Sequence, residues 1–123
     1  MKSSKYESDF YALAHEQATL LRARKFDDID LKNIAEEIET LARNEYRELV
    51  NRLKQLLTHL LKWQFQLNFQ SRSWLLTIEE QREELVQHLA ANLSLKSRLE
   101  EALINSYEIA IILAKKQTGL ETF

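Results

Sequence analysis

Apolar side chains recur at intervals of three and four along most of the chain, the spacing that lines one face of an α-helix. The first such segment runs from about Lys5 to Arg24, with Tyr6, Phe10, Leu13, Ala14, Gln17, Leu20 and Leu21 on one mostly apolar face. Ser4 and Glu7 fit the S-x-x-E pattern, in which each side chain satisfies an orphan amide of the first turn. Arg24 and Lys25 close the segment where positive charge suits the helix dipole. The turn FDDID follows, and Asp27 or Asp30 is placed to cap the next helix.

The second stripe is much longer. Leu31, Ile34, Ile38, Leu41, Leu49, Leu53, Leu56, Leu60, Trp63 and Leu67 share the repeat, with one skipped position at Glu45. No proline or glycine interrupts it. A helix of this length would extend about 60 Å at ~1.5 Å per residue. Either it kinks or breaks, between Thr40 and Glu45 or near Gln64 to Gln70, or it overhangs the bundle and its overhang needs a partner chain. The stretch Gln64–Ser73 loses the period and reads as a frayed helix end and a loop, with Ser71 or Ser73 as the next cap.

A third segment runs from about Trp74 to Ala91, with Leu75, Ile78, Arg82, Leu85, Val86 and Leu89 on one face. Asn92 and Ser94 make a very short connection, which implies antiparallel neighbours. The fourth runs from about Leu95 to Thr118, with Leu99, Ala102, Leu103, Tyr107, Ala110, Leu113 and Ala114 on its face. Ile109, Ile111 and Ile112 widen that face, as expected in a bundle centre or at a subunit contact. Gly119 suits the left-handed position that closes a helix. The expectation is an all-α, antiparallel bundle of about four helices, a single domain over residues 1–123, with a long second helix.

Composition narrows the chemistry. The chain has 123 residues, no cysteine, no proline and one glycine, which excludes disulfides, thiolate chemistry and glycine-rich phosphate loops. No apolar run is long enough to span a bilayer, and no apolar stretch follows the basic N-terminal residues, so a cytoplasmic protein without a membrane partner is expected. Charge is uneven. Residues 41–76 hold 6 basic and 2 acidic side chains, and both flanks are net acidic, for a total of -2. A positive middle segment either faces an anionic partner or pairs with the acidic flanks inside the bundle.

Three histidines, His15, His59 and His88, fall on different helices without metal-ligand spacing, so neither metal nor cofactor is expected. Glu45 is the sharper oddity, because a carboxylate on an apolar stripe must be paired, turned to water or protonated. Arg72, Arg82 or His59 are its candidate partners. Glu36, Glu45, His59, Arg72 and Arg82 form a candidate polar cluster, able in principle to hold a small anion or serve a hydrolytic reaction. Trp63 and Trp74 form a candidate aromatic platform, since indoles offer stacking area. The structural reading of the same residues is core cover, caps and interhelical hydrogen bonds.

The segments YESDFYALAHEQATLLR, DIDLKNIAEEIETLARNEYREL, HLLKW and SWLLTIEEQR cover most of the chain in order. On them the sequence resembles the domain of unknown function 29 family, DUF29, small helical proteins abundant in cyanobacteria and some other bacteria. The resemblance implies a helical bundle and brings no established activity. The family's characteristic positions map onto Asp9, Tyr11, Glu36, Glu37, Glu39, His59, Trp63, Arg72, Trp74, Glu80, Gln81 and Arg82. This chain departs from the family in lacking a proline-bearing turn after HLLKW and a Pro/Tyr-containing tail.

Three functions follow as expectations. The first is a protein-interaction or self-association module without catalytic activity, pairing as a homodimer or with another protein. The second is an anion-binding protein or hydrolytic enzyme built on the polar cluster. The third is nucleic-acid binding through the basic middle segment, which the net acidity of the whole chain disfavours.

Overall fold

A computed structural model describes residues 9–121 and 123. Among the described residues there are four α-helices: α1 (Phe10–Arg22), α2 (Leu31–Phe65), α3 (Arg72–Ala91) and α4 (Leu99–Thr118). Short 3-10 turns at Phe26–Asp28, Leu67–Phe69 and Leu93–Arg98 connect them. The protein is all-α, with a second helix of 35 residues that is helical through 40–45 and ends at Phe65. The chain forms two compact units, residues 1–43 and 44–123, and the division falls inside α2.

In the first unit the expected cap at Ser4 and Glu7 lies outside the described residues. Within them, Asp9 caps α1, its Oδ1 accepting the Ala12 amide at 3.0 Å. The other end closes as a Schellman motif. The Lys25 amide donates to Leu20 O at 3.0 Å and the Arg24 amide to Leu21 O at 3.1 Å. Arg24 occupies the left-handed position with φ 59°, which glycine would hold at lower cost. Gln17 fixes the following turn: it is buried, and its Oε1 accepts the Asp30 amide at 2.8 Å. Asp30 in turn caps α2, accepting from the Asn33 amide at 3.4 Å and from Asn33 Nδ2 at 2.9 Å.

The second unit packs its helices around two buried apolar clusters. Leu49 and Leu53 of α2 pack with Leu95 and Ala102, and Tyr46, Val50, Leu85, Leu89 and Leu99 close over them. Further along, Leu61 packs with Ala110 and Ala114. The order of these contacts, together with Glu45 against His88 and Arg52 against Glu84, sets α3 antiparallel to α2 and α4 parallel to it. Ser71 is the cap of α3, its Oγ accepting the Trp74 amide at 3.2 Å. Gly119, at φ 76°, closes α4 by donating to Lys115 O at 2.8 Å.

The inward face of α4 differs from the expected one. Ala102, Ser106, Ala110 and Ala114, each four residues from the last, are fully buried. Leu103 and Tyr107, expected inside, are exposed. Small residues on an i, i+4 ridge let two helix backbones approach closely, so the tightest contact selects against the largest side chains. Ser106 avoids an unsatisfied hydroxyl by donating to Leu103 O at 3.1 Å.

Candidate functional site

The polar side chains of the second unit gather where its helices meet. Glu45 is not buried: its side chain is 50% exposed and faces His88 of α3. Its neighbours are His88 and Asn92, none of the three partners expected from sequence. His88 Nε2 lies 2.9 Å from the Glu45 carbonyl oxygen, which can only accept, so that nitrogen carries a proton and donates. His88 Nδ1 is 3.7 Å from Glu45 Oε2, an ion pair whenever the ring is doubly protonated. Asn92 Nδ2 donates to His88 O at 3.1 Å and reaches Glu45 Oε2 at 3.4 Å. The trio ties α3 and its terminal turn to the middle of α2.

One helical step away, Tyr46 forms a second polar tie. The Arg98 guanidinium lies 3.8 Å from the centroid of the Tyr46 ring, and Asn105 Nδ2 donates to the Tyr46 hydroxyl at 3.1 Å. Glu101 accepts from Arg98 Nε at 3.1 Å and Nη2 at 3.2 Å, which fixes the guanidinium beside the ring. Further along, Arg52 bridges Glu48 at 2.6 Å and Glu84 at 2.7 Å. Glu84 thereby gains a cation from α2, which offsets its like-charge neighbour Glu80 one turn earlier.

The remaining sequence-derived residues are distributed as follows. Glu36 lies exposed in the first unit; Glu45, His59, Arg72 and Arg82 lie in the second. Among the described residues no hydrogen bond or ion pair joins any two of those four. His59 Nδ1 donates to Gln55 O of its own helix at 2.8 Å. Arg72 and Arg82 are exposed on α3, Arg72 lining a shallow groove with Ser73, Leu76, Thr77 and Glu80. Trp63 and Trp74 are half-buried at one end of the unit. Lys62 Nζ lies 5.0 Å from the Trp74 ring centroid and donates to Gln117 Oε1 at 3.1 Å. The Trp63 carbonyl accepts from Gln70 Nε2 at 2.7 Å, which folds the loop back on the end of α2.

The interhelical roles of His88, Asn92, Tyr46, Arg98 and Asn105 are not legible in the sequence, because the partners they reach on another helix sit more than forty residues away and no local spacing announces them. Among the described residues no group of three or more His, Asp or Glu side chains could hold a metal ion. No helix among them is long and apolar enough to cross a membrane.

The fold defines a small all-α protein whose polar clusters join helices. More particularly, the chain belongs to the family described as "Domain of unknown function DUF29", whose model matches residues 5–123. No curated protein and no solved structure matches it.

Proposed function

We propose that the chain is a cytoplasmic protein-interaction module that pairs with a second copy of itself through the outer face of α4. One observation carries the reading. Helix α4 is apolar nearly all round between Leu103 and Leu113, although only its small-residue ridge is needed against α2. A helix with apolar residues on every side belongs in a core or at a contact. Here Leu103, Ile104 and Tyr107 instead line an open groove of about 330 Å³ with Leu57, and Glu108 is its one charged wall. Ile104 is 66% exposed, and Ile109 and Ile112 are exposed further along the helix, beyond Glu108. Exposed apolar surface of this kind on a small protein marks an interaction site, and two identical surfaces can meet about a two-fold axis.

The reading assigns no reaction, because Glu45, His59 and His88 are each engaged in ties between or within helices. Sedimentation velocity over a range of concentrations tests it. The native chain is expected to dimerise reversibly, and Ile104→Glu to stay monomeric with an unchanged circular dichroism spectrum. A native chain that remains monomeric at high concentration contradicts the proposal, as does an Ile104→Glu variant that dimerises equally well.

A further inference from the structure

The loop end of the second unit combines two properties that neither the core nor the α4 face requires. The chain turns there from α2 into α3, and the end of α4 lies beside the turn. The Phe65 and Phe123 rings meet edge to face at 5.2 Å, and Lys62 reaches Gln117. Four apolar side chains are exposed at this end: Leu67 at 68%, Phe69 at 62%, and the less exposed Phe65 and Leu120. Carried on a 3-10 turn and two helix ends, they line one open depression of about 490 Å³.

The second property is sign. From Leu49 to Ile78 there is no acidic residue, nor is there one from Ile109 to Leu120. Arg72 begins α3 and Lys115 and Lys116 end α4, all three exposed, while Lys62 is held over the Trp74 ring. Glu121 and, further along α3, Glu79 and Glu80 are the nearest acids in sequence. Lysines in the last turn of a helix do complement its dipole. That duty gives no reason for an apolar tip between them. Half-buried Trp63 and Trp74 belong to the same end, Lys62 lying over the Trp74 ring and Gln70 donating to the Trp63 carbonyl, and indoles favour the boundary between water and hydrocarbon.

We infer that this end of the molecule binds the surface of an anionic lipid bilayer. Phe65, Leu67, Phe69 and Leu120 enter the boundary between head groups and acyl chains, and Arg72, Lys115 and Lys116 meet the lipid phosphates. Such binding needs no spanning helix: apolar area and basic residues act together, and each cation near a negative membrane surface adds about fivefold in affinity. The apolar residues of this site share no lining residue with the α4 groove, so flotation and dimerisation are read separately.

Vesicle flotation tests the inference, with the full chain and vesicles of phosphatidylcholine alone or with phosphatidylglycerol. Binding is expected only to the anionic vesicles and is expected to weaken as salt rises. Leu67→Ser with Phe69→Ser, both exposed and outside the core, is expected to lower partitioning on the order of tenfold or more. Lys115→Glu with Lys116→Glu is expected to lower it about 25-fold or more. Circular dichroism and sedimentation of both variants should match the native chain. Failure of the native chain to float with anionic vesicles overturns the inference. So does unchanged flotation of the Leu67→Ser, Phe69→Ser variant, which would reduce the effect to nonspecific attraction of cations.

Discussion

Residues 31–43 and 44–65 belong to one helix and carry the same apolar spacing, yet they meet different surroundings. In the second half Leu49 and Leu53 are 0% and 3% exposed, packed against α3, α4 and the turn between them. In the first half Ile38 and Leu41 are 61% and 63% exposed, and Leu31 is exposed as well. Helical period alone is therefore evidence of a helix and not of a core. What distinguishes the halves is the company each keeps. The second runs beside a helix with a four-step ridge of small residues, which admits close approach. The first is anchored at its start by the Gln17–Asp30 hydrogen bond and the Asp30 cap.

The largest expected effect lies in the buried half. Leu53→Ala should cost about 2–5 kcal/mol, because a cavity is added to the lost transfer energy. Ile38→Ala should stay within about 0.5 kcal/mol, since little apolar area is lost and alanine is the better helix former. Urea denaturation of the two variants checks both values. Equal losses would erase the distinction between the halves. Next comes Ser106→Leu, which forces a large side chain into the ridge facing α2 and should cost about 1–3 kcal/mol. Its thermal midpoint should fall, whereas the same leucine in place of the exposed Ala90 of α3 should leave it almost unmoved.

Arg52→Ala removes the cation between Glu48 and Glu84, and should cost about 1 kcal/mol, less at high salt. Ser71→Ala removes the cap of α3 at a similar cost of about 1 kcal/mol. The smallest effect has the opposite sign and belongs to the first unit. Arg24→Gly relieves the left-handed backbone position and should stabilise that unit by about 0.5–1 kcal/mol. Amide exchange within α1 should slow in that variant.

Helices were legible in the sequence because each carries its own period and its own punctuation. Asp30, Ser71, Asn92 and Gly119 mark boundaries by local chemistry, and the structure uses all four there. The inward face of α4 was not legible in the same way. Hydropathy ranks Leu103 and Tyr107 above Ser106, while close helix packing ranks them in reverse, and only the identity of the neighbouring helix decides between the two. Glu45 shows the same limit. Its place on the stripe of α2 was visible, but not the partners that would meet it, because His88 and Asn92 come from a different stretch of chain and carry no shared spacing with it. The basic middle segment was visible as a count. That two of its members, Lys62 and Arg72, share one end of the unit with Lys115 and Lys116 follows from α4 finishing beside the α2–α3 loop, which no local spacing announces.

Hydrogen–deuterium exchange along α2 tests the central distinction most directly, since both halves are read in one experiment on the native chain. At a dilution that keeps the protein monomeric, amides of residues 49–61 should exchange at rates approaching those of global unfolding, while amides of residues 35–43 should open far sooner. Protection that stays uniform from Ala35 to Leu61 would contradict the account.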